Sequence, residues 1–352
     1  MFRIFFALTA LLGTASLRAQ TPASPAPAPQ RALIYSVQDS GAIDHFDENP
    51  AITRRMTDRL ILAATGQTDI AKAWRTLVSP ADRVGIKLST TGGRYLSSHR
   101  GVVGAIIDGL ESAGVPRSRI VLWDRHEADL RAAGYIPERG GVAIRAIDPP
   151  RGFDKDAVLS APVLGKLIWG DLLFRGQKSI LRQTDRESDR LSSDSHLPSI
   201  LTKDVTKVIN VAVLSDEPGC GVAGAVYNMT LSNLDNNRRF SDPRAAFTIP
   251  ELYTDARIAP KVVLHILDGL IAQYAAGPTF QANYAFAHRT LYASKDPVAL
   301  DATAVRLMEG WRKESKLPPI GRRAAWLQDA EAFGAGISSE ERIEIKPVSQ
   351  LP

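Results

Sequence analysis

"RVGIKLSTTGGRYLSSHRGVVGAIIDGLESAGVPRSRIVLWD", residues 83–124, decides the fold. "RVGIKL" is a short apolar strand and "TTGGRYLSS" a turn. "HRGVVGAIIDGLESAG" has apolar residues at helical spacing, with Ser97 or Ser98 placed to cap it, and "RIVLW" is a second strand. Strand, helix and strand at this spacing make a βαβ unit, and such units build parallel sheets.

The same rhythm extends in both directions. Upstream, "ALIYSV" reads as a strand, and "PAITRRMTDRLILAAT" and "DIAKAWRTLV" as helices. Downstream come a helix in "EADLRAAGY" and strands in "GVAIRAI", "KVINVAVL" and "RTLYAS". "APKVVLHILDGLIAQYAAG" reads as a strand running into a helix. "DPVALDATAVRLMEG" is a helix with Asp296 as N-cap and Pro297 in its first turn. "IGRRAAWLQDAEAFGAG" is a last helix and "RIEIKPV" an edge strand. Polar, turn-rich residues 148–200 form an excursion. The expected fold is α/β: a largely parallel sheet covered by helices on both faces, in a single domain over residues 31–352.

The N-terminus predicts export. "MFR" is basic, "IFFALTALLGTASL" is an apolar core too short to span a bilayer comfortably, and "RAQ" offers Ala19 for cleavage, so residues 1–19 read as a signal peptide. Residues 20–30 are a Pro/Ala-rich tether. The location expected is periplasmic or secreted. No later stretch is apolar for long enough to span a membrane. The 352 residues carry a net charge of +5 with both signs scattered, and no basic run with interleaved aromatics, which argues against nucleic acid as a partner. Cys220 is the only cysteine, so this chain has no internal disulfide and no four-cysteine iron–sulfur cluster. Between glycines it reads as a small space-filling residue.

Ligands of open parallel sheets bind beyond the carboxyl ends of the strands. The strand ends here carry Lys87, Ser89 and Thr90; Asp124, Arg125 and His126; Ser215, Asp216 and Glu217; Asp268; and Ser294, Lys295 and Asp296. All are expected on one rim. Lys87 is a candidate to bind or polarise substrate, and Asp124, His126 and His99 are candidates to move protons. "GCGVAGA" holds Gly219, Gly221 and Gly224 in a G-x-G-x-x-G pattern, but "SDEP" separates it from the strand and no second strand follows its helix, which disfavours dinucleotide binding. Gly221 and Gly224 at a helix start can still offer backbone N–H groups to an anion. "VYNMTLSNLDNNRRF", residues 226–240, adds Asn228, Asp235, Asn236 and Arg238 as candidate substrate-binding residues. Asp296 and Asp301 are candidate ligands for a divalent cation, although Asp296 also suits a helix cap. The scattered histidines form no H-x-x-x-H or H-x-H signature, and His265, within an apolar strand, reads as a core residue.

In order along the chain, "RVGIKL", "RIVLWD", "INVAVLSDEPGCGVAGAVYNMTL", "LDNNRRF", "VVLHILDGLIAQYAAGP" and "LYASKDPVALDATA" resemble the domain of unknown function 362 family (DUF 362), over residues 80–310. The resemblance implies an α/β domain whose members often stand beside iron–sulfur modules and whose activity is largely unassigned. This chain departs from the family by having Ser215 and Glu217 where lysine and histidine are frequent, and Tyr227 where a lysine commonly precedes the asparagine. It resembles an exported branch without ferredoxin-type cysteines. Two readings of function stand open. One is an enzyme acting on a small anionic molecule, with or without a divalent metal. The other is a periplasmic small-ligand binding protein without turnover.

Overall fold

Val84–Lys87 is buried along its whole length, as a central strand covered on both faces must be. The computed structural model describes residues 31–148, 152–159, 195–237, 240 and 248–348. The segments read as signal and tether, and Arg238, lie outside the described residues.

In chain order the elements begin with β1 (Ala32–Gln38), the short pair β2 (Ile43–Asp44) and β3 (Asp47–Glu48), α1 (Pro50–Thr65) and α2 (Ile70–Arg75). Then come β4 (Val84–Lys87), α3 (Arg100–Ser112), β5 (Ile120–Asp124), α4 (Glu127–Ala132) and β6 (Ala143–Ala146). The excursion contributes β7 (Phe153–Leu159) and β8 (Ser195–Pro198), which pair with each other. The chain continues through β9 (Lys207–Ser215), α5 (Ala225–Met229), α6 (Ile249–Tyr253), β10 (Val262–Gln273) and β11 (Ala285–Ser294). It ends in α7 (Pro297–Glu314), α8 (Trp326–Ala332) and β12 (Ile343–Pro347).

Eight strands form one sheet in the order β12-β1-β11-β10-β9-β4-β5-β6. Only β11 runs against the others. Helices α1–α4 cover one face and α5–α8 the other, each over its own apolar layer. From β4 the chain moves outward to β5 and β6; from the adjacent β9 it moves the other way to β10 and β11. The order therefore reverses between β4 and β9, and a crevice opens beyond their carboxyl ends.

Two expectations need correction. "DGLIAQ" does not turn into a helix, because β10 continues as one strand to Gln273. Its residues from Leu264 on are buried between β9 and β11, with a register irregularity between Gly269 and Ile271 that lets the apolar run stay paired. Periodicity cannot separate a strand buried on both faces from a buried helix. Second, Ser294, Lys295 and Asp296 do not reach the Lys87 rim. Because β11 is antiparallel, Ser294 pairs with His265 near the start of β10, at the opposite edge of the sheet.

Asp296 does cap α7, accepting from Ala299 N at 2.9 Å and also from Ile337 N at 2.8 Å. Burial pushes its carboxyl up to about 6 against these hydrogen bonds. Asp301, fully buried one turn later, accepts from Ala225 N and Val226 N at 2.5 and 2.9 Å, and so ties α7 to the start of α5. Burial pushes Asp301 up to about 7. Replacing Asp301 by Ala strands two buried N–H groups and should cost about 2–4 kcal/mol in urea unfolding; a loss below about 0.5 kcal/mol would show that the contact is not structural.

Candidate functional site

At the β4–β9 crevice Lys87 is completely buried. Its ammonium meets Asp124 Oδ1 at 2.6 Å, Leu88 O at 2.7 Å, Ser232 Oγ at 2.9 Å and Asn228 Oδ1 at 3.0 Å. Asp124 Oδ2 accepts from both the Thr90 amide and its hydroxyl, at 2.7 and 2.6 Å. Burial draws Lys87 below the usual lysine range, and Asp124 only partly restores it. Burial also penalises the Asp124 carboxylate, but Lys87 and the Thr90 hydroxyl hold it below the usual aspartate range. Asp124 is thus held as the carboxylate that faces the Lys87 ammonium.

From Lys87 a donor chain crosses the sheet interior. Asn228 Nδ2 donates to Asn210 Oδ1 at 2.8 Å, and Asn210 Nδ2 donates to Ala225 O at 2.8 Å and to His265 Nδ1 at 2.9 Å. With Nδ1 accepting, His265 Nε2–H points its proton at the Tyr253 hydroxyl, 3.0 Å away. Burial pulls His265 down to about 3, so the ring stays neutral, as this direction of donation requires. The lysine has no donor to spare for a substrate. It pins the 228–232 turn over the strand end.

A second cluster lies on the α3 face of the same rim. His99, 6% exposed, occupies the N-cap position of α3. Its backbone N–H donates to Asp268 Oδ2 at 2.8 Å, and its ring Nδ1 lies 3.0 and 2.9 Å from the two Asp268 oxygens. Asp268 thereby fixes the Nδ1–H tautomer. Ring Nε2 is buried without a partner. Burial is the strongest single influence on His99 and disfavours its charge, but Asp268 and, more weakly, Glu48 outweigh it and raise the ring above the usual histidine range. Glu48 takes the capping role expected of Ser97 or Ser98, accepting from Gly101 N at 2.9 Å. Ser98 Oγ instead donates to Val211 O at 2.7 Å, and Ser97 Oγ to Gly93 O.

His99 lines a cavity of about 510 Å³ with Phe46, Asp47, Glu48, Arg94, Arg100 and Gly134. One wall is the β2–β3 hairpin. His45 and Phe46 turn it at φ 46° and 68°, a region disfavoured for residues with side chains. Phe46 is held there against Tyr95 and Phe280, with ring centroids 6.2 and 5.5 Å away.

Residues 182–306 match the family model described as domain of unknown function DUF362. The chain carries a DUF362 domain. No curated protein matches the chain. Among solved structures, a protein from Thermotoga maritima aligns with 78% of this chain at 12% identity and a TM-score of 0.34; the chain spans 61% of that protein. The DUF362 domain contains Asn210, Asn228, His265, Asp268 and Asp301. Lys87, His99 and Asp124 lie before it, so both clusters are assembled from residues inside and outside the matched segment.

The structure brings Lys87, Asp124 and Asn228 together and joins none of them to a histidine at the rim. His126 is half-exposed and pairs with Asp148 at 2.9 Å, apart from Asp124. Within the DUF362 domain, Asp235 accepts from His196 N and Nδ1, both at 2.7 Å, and Asn236 O accepts from Ser195 Oγ at 2.8 Å, so both residues fasten β8. Gly221 packs against Ile320 and Ala324, and a Cβ on Gly224 would lie 2.0 Å from Asp301 Oδ1. The start of α5, expected to face an anion, already holds the Asp301 carboxylate. Asp296 and Asp301 both serve backbone amides, and among the described residues no group of three His, Cys, Asp or Glu is placed to hold a metal. Buried Cys220 donates to Val222 O and burial pushes its thiol far up, which fits a space-filling role. The sequence marks His99 and Asp268 separately, Asp268 as the end of a strand, and does not announce their pairing; β10 in fact runs on to Gln273.

Two measurements check these assignments. Lys87→Met strands the Asp124 carboxylate and should cost about 3–5 kcal/mol, whereas Lys87→Met with Asp124→Asn should recover part of it in a double-mutant cycle; strictly additive losses would contradict the ion pair. For His99, a raised folded-state value means the Asp268 contact stabilises fully below the ordinary histidine value of 6.5 and fades as pH rises through the folded value. The stability difference between wild type and Asp268→Asn should therefore shrink as pH climbs above 6.5, and a difference that grows would refute the pairing.

Proposed function

We propose that this chain is an enzyme that performs acid–base chemistry on a small anionic molecule in the cavity at the start of α3. His99 transfers the proton through Nε2, and Asp268 orients the ring. The observation that carries this reading is the asymmetry of the imidazole: Nδ1 clamped by a carboxylate, Nε2 buried with no partner. A ring held this way keeps one tautomer and presents one reactive nitrogen. A buried polar atom left unpaired costs stability, and a ligand in the cavity could supply the partner. The cavity volume suits a small molecule. Lys87, Asp124 and Asn228 act as positioning residues that hold the floor of the rim.

A carrier that closes around its ligand is favoured by two lobes and a hinge; here one eight-stranded sheet runs continuously across the rim. A divalent cation remains part of the proposal only as a guest that substrate oxygens would help to hold. Export, read from residues 1–19, would place this chemistry outside the cytoplasm.

The test is incubation of the purified chain with pooled small organic anions, followed by mass spectrometry for product. Any turnover found should lose about 100-fold or more in kcat in His99→Gln. Its pH–rate profile should show a group titrating above 6.5 that Asp268→Asn moves downward. Turnover that survives His99→Gln at the wild-type rate would sink the reading.

A further inference from the structure

The charges around the His99 cavity are nearly all spoken for. Asp47 takes Arg94 Nη2 at 2.7 Å. Glu48 takes Gly101 N at 2.9 Å and the Thr53 hydroxyl at 2.6 Å. Asp268 takes His99. Two groups are left over, on consecutive residues at the start of α3. One is His99 Nε2, buried without a partner. The other is the exposed guanidinium of Arg100, which makes no hydrogen bond or ion pair among the described residues. The Arg100 side chain runs beside Gly134: a Cβ there would come within 3.2 Å of Arg100 Cδ, and the backbone of Gly134 has φ +82°. The glycine keeps that wall open where the arginine lies against it.

We infer that Arg100 anchors a single carboxylate group of the substrate and so sets the end of the molecule that meets His99 Nε2. The inference rests on the acid–base reading of this cavity and names its substrate class: small monocarboxylates with an apolar body. A guanidinium fork matches a planar carboxylate with two parallel hydrogen bonds. Local charge selects against phosphate. Asp47 and Glu48 line the cavity and Asp268 sits behind His99, so a monoanion adds one negative charge beside these carboxylates and a phosphate dianion adds two. Phe46, Ala132 and Ala133 line the same cavity and give the remainder of the ligand apolar contact.

The test is NMR of the purified chain carrying histidine labelled at Cε1, titrated with butyrate, benzoate, butyramide and inorganic phosphate. Butyrate or benzoate should move the His99 resonance saturably. Arg100→Ala should weaken that response at least tenfold, Arg100→Lys should fall between, and butyramide and phosphate should bind more weakly than the carboxylates. Arg100 is exposed, so neither substitution removes core packing, and an unchanged spectrum elsewhere confirms the fold. Equal carboxylate affinity in wild type and Arg100→Ala, tighter phosphate binding, or no saturable carboxylate response would each overturn the inference. If carboxylates bind through Arg100 while turnover ignores His99→Gln, the anchor stands and the acid–base reading falls. If turnover needs His99 but is indifferent to Arg100, the anchor falls and the acid–base reading stands.

Discussion

Lys87 places a formal positive charge where no solvent reaches. Desolvating an ammonium costs several kcal/mol, and only close oxygens offset it. Four surround it, and they come from the residue after β4, from β5, from α5 and from the turn after α5. The requirement to satisfy one cation thus draws the 226–237 segment down over the carboxyl ends of the strands. Asn228 then passes the demand inward, to Asn210, His265 and Tyr253, each accepting a hydrogen bond from the one before it. Three amides of the asparagine-rich stretch, those of Asn228, Asn233 and Asn237, hold partners within the protein. Asn233 receives Trp123 Nε1–H at 3.0 Å, and Asn237 donates to Leu231 O at 3.0 Å.

The two faces of the rim divide the work. On the α5 face the polar groups around Lys87 are consumed internally, which makes that face rigid. On the α3 face one imidazole nitrogen and one guanidinium remain, beside a cavity whose hairpin wall is kept in a disfavoured turn by aromatic packing. Catalytic and binding groups need a rigid support and a few unsatisfied atoms. The sheet supplies both within one strand reversal, and the DUF362 domain supplies Asp268 and Asn228 to partners that precede it in the chain.

The architecture was legible because its signals were local. Residues 83–124 form a βαβ unit, Asp296 and Pro297 open α7, and "RIEIKPV" is an edge strand. Strand direction was not legible. Nothing within "RTLYAS" distinguishes parallel from antiparallel pairing, so Ser294 and Asp296 fall on the edge opposite to the one expected. Nor was the helical spacing of "DGLIAQ" separable from a strand buried on both faces. Of the candidate site, the meeting of Lys87, Asp124 and Asn228 follows from the strand-end rule, since all three lie near ends of adjacent elements. The His99–Asp268 contact joins residues 169 positions apart, and its Asp lies within a strand rather than at its end, so no spacing in the sequence announces it. Asp301 reads as a metal candidate because a buried carboxylate and a capping carboxylate look alike until the amides facing it are known.

The protonation state of the His99 ring decides whether it can move a proton, and nitrogen-15 NMR of the histidine-labelled chain reads that state directly. Nδ1 should stay protonated across the titration, held by Asp268, and Nε2 should be the nitrogen that loses its proton, at a pH above 6.5. A ring that carries its neutral-state proton on Nε2, or that titrates below 6.5, would contradict the assignment of His99 as the proton-transferring group.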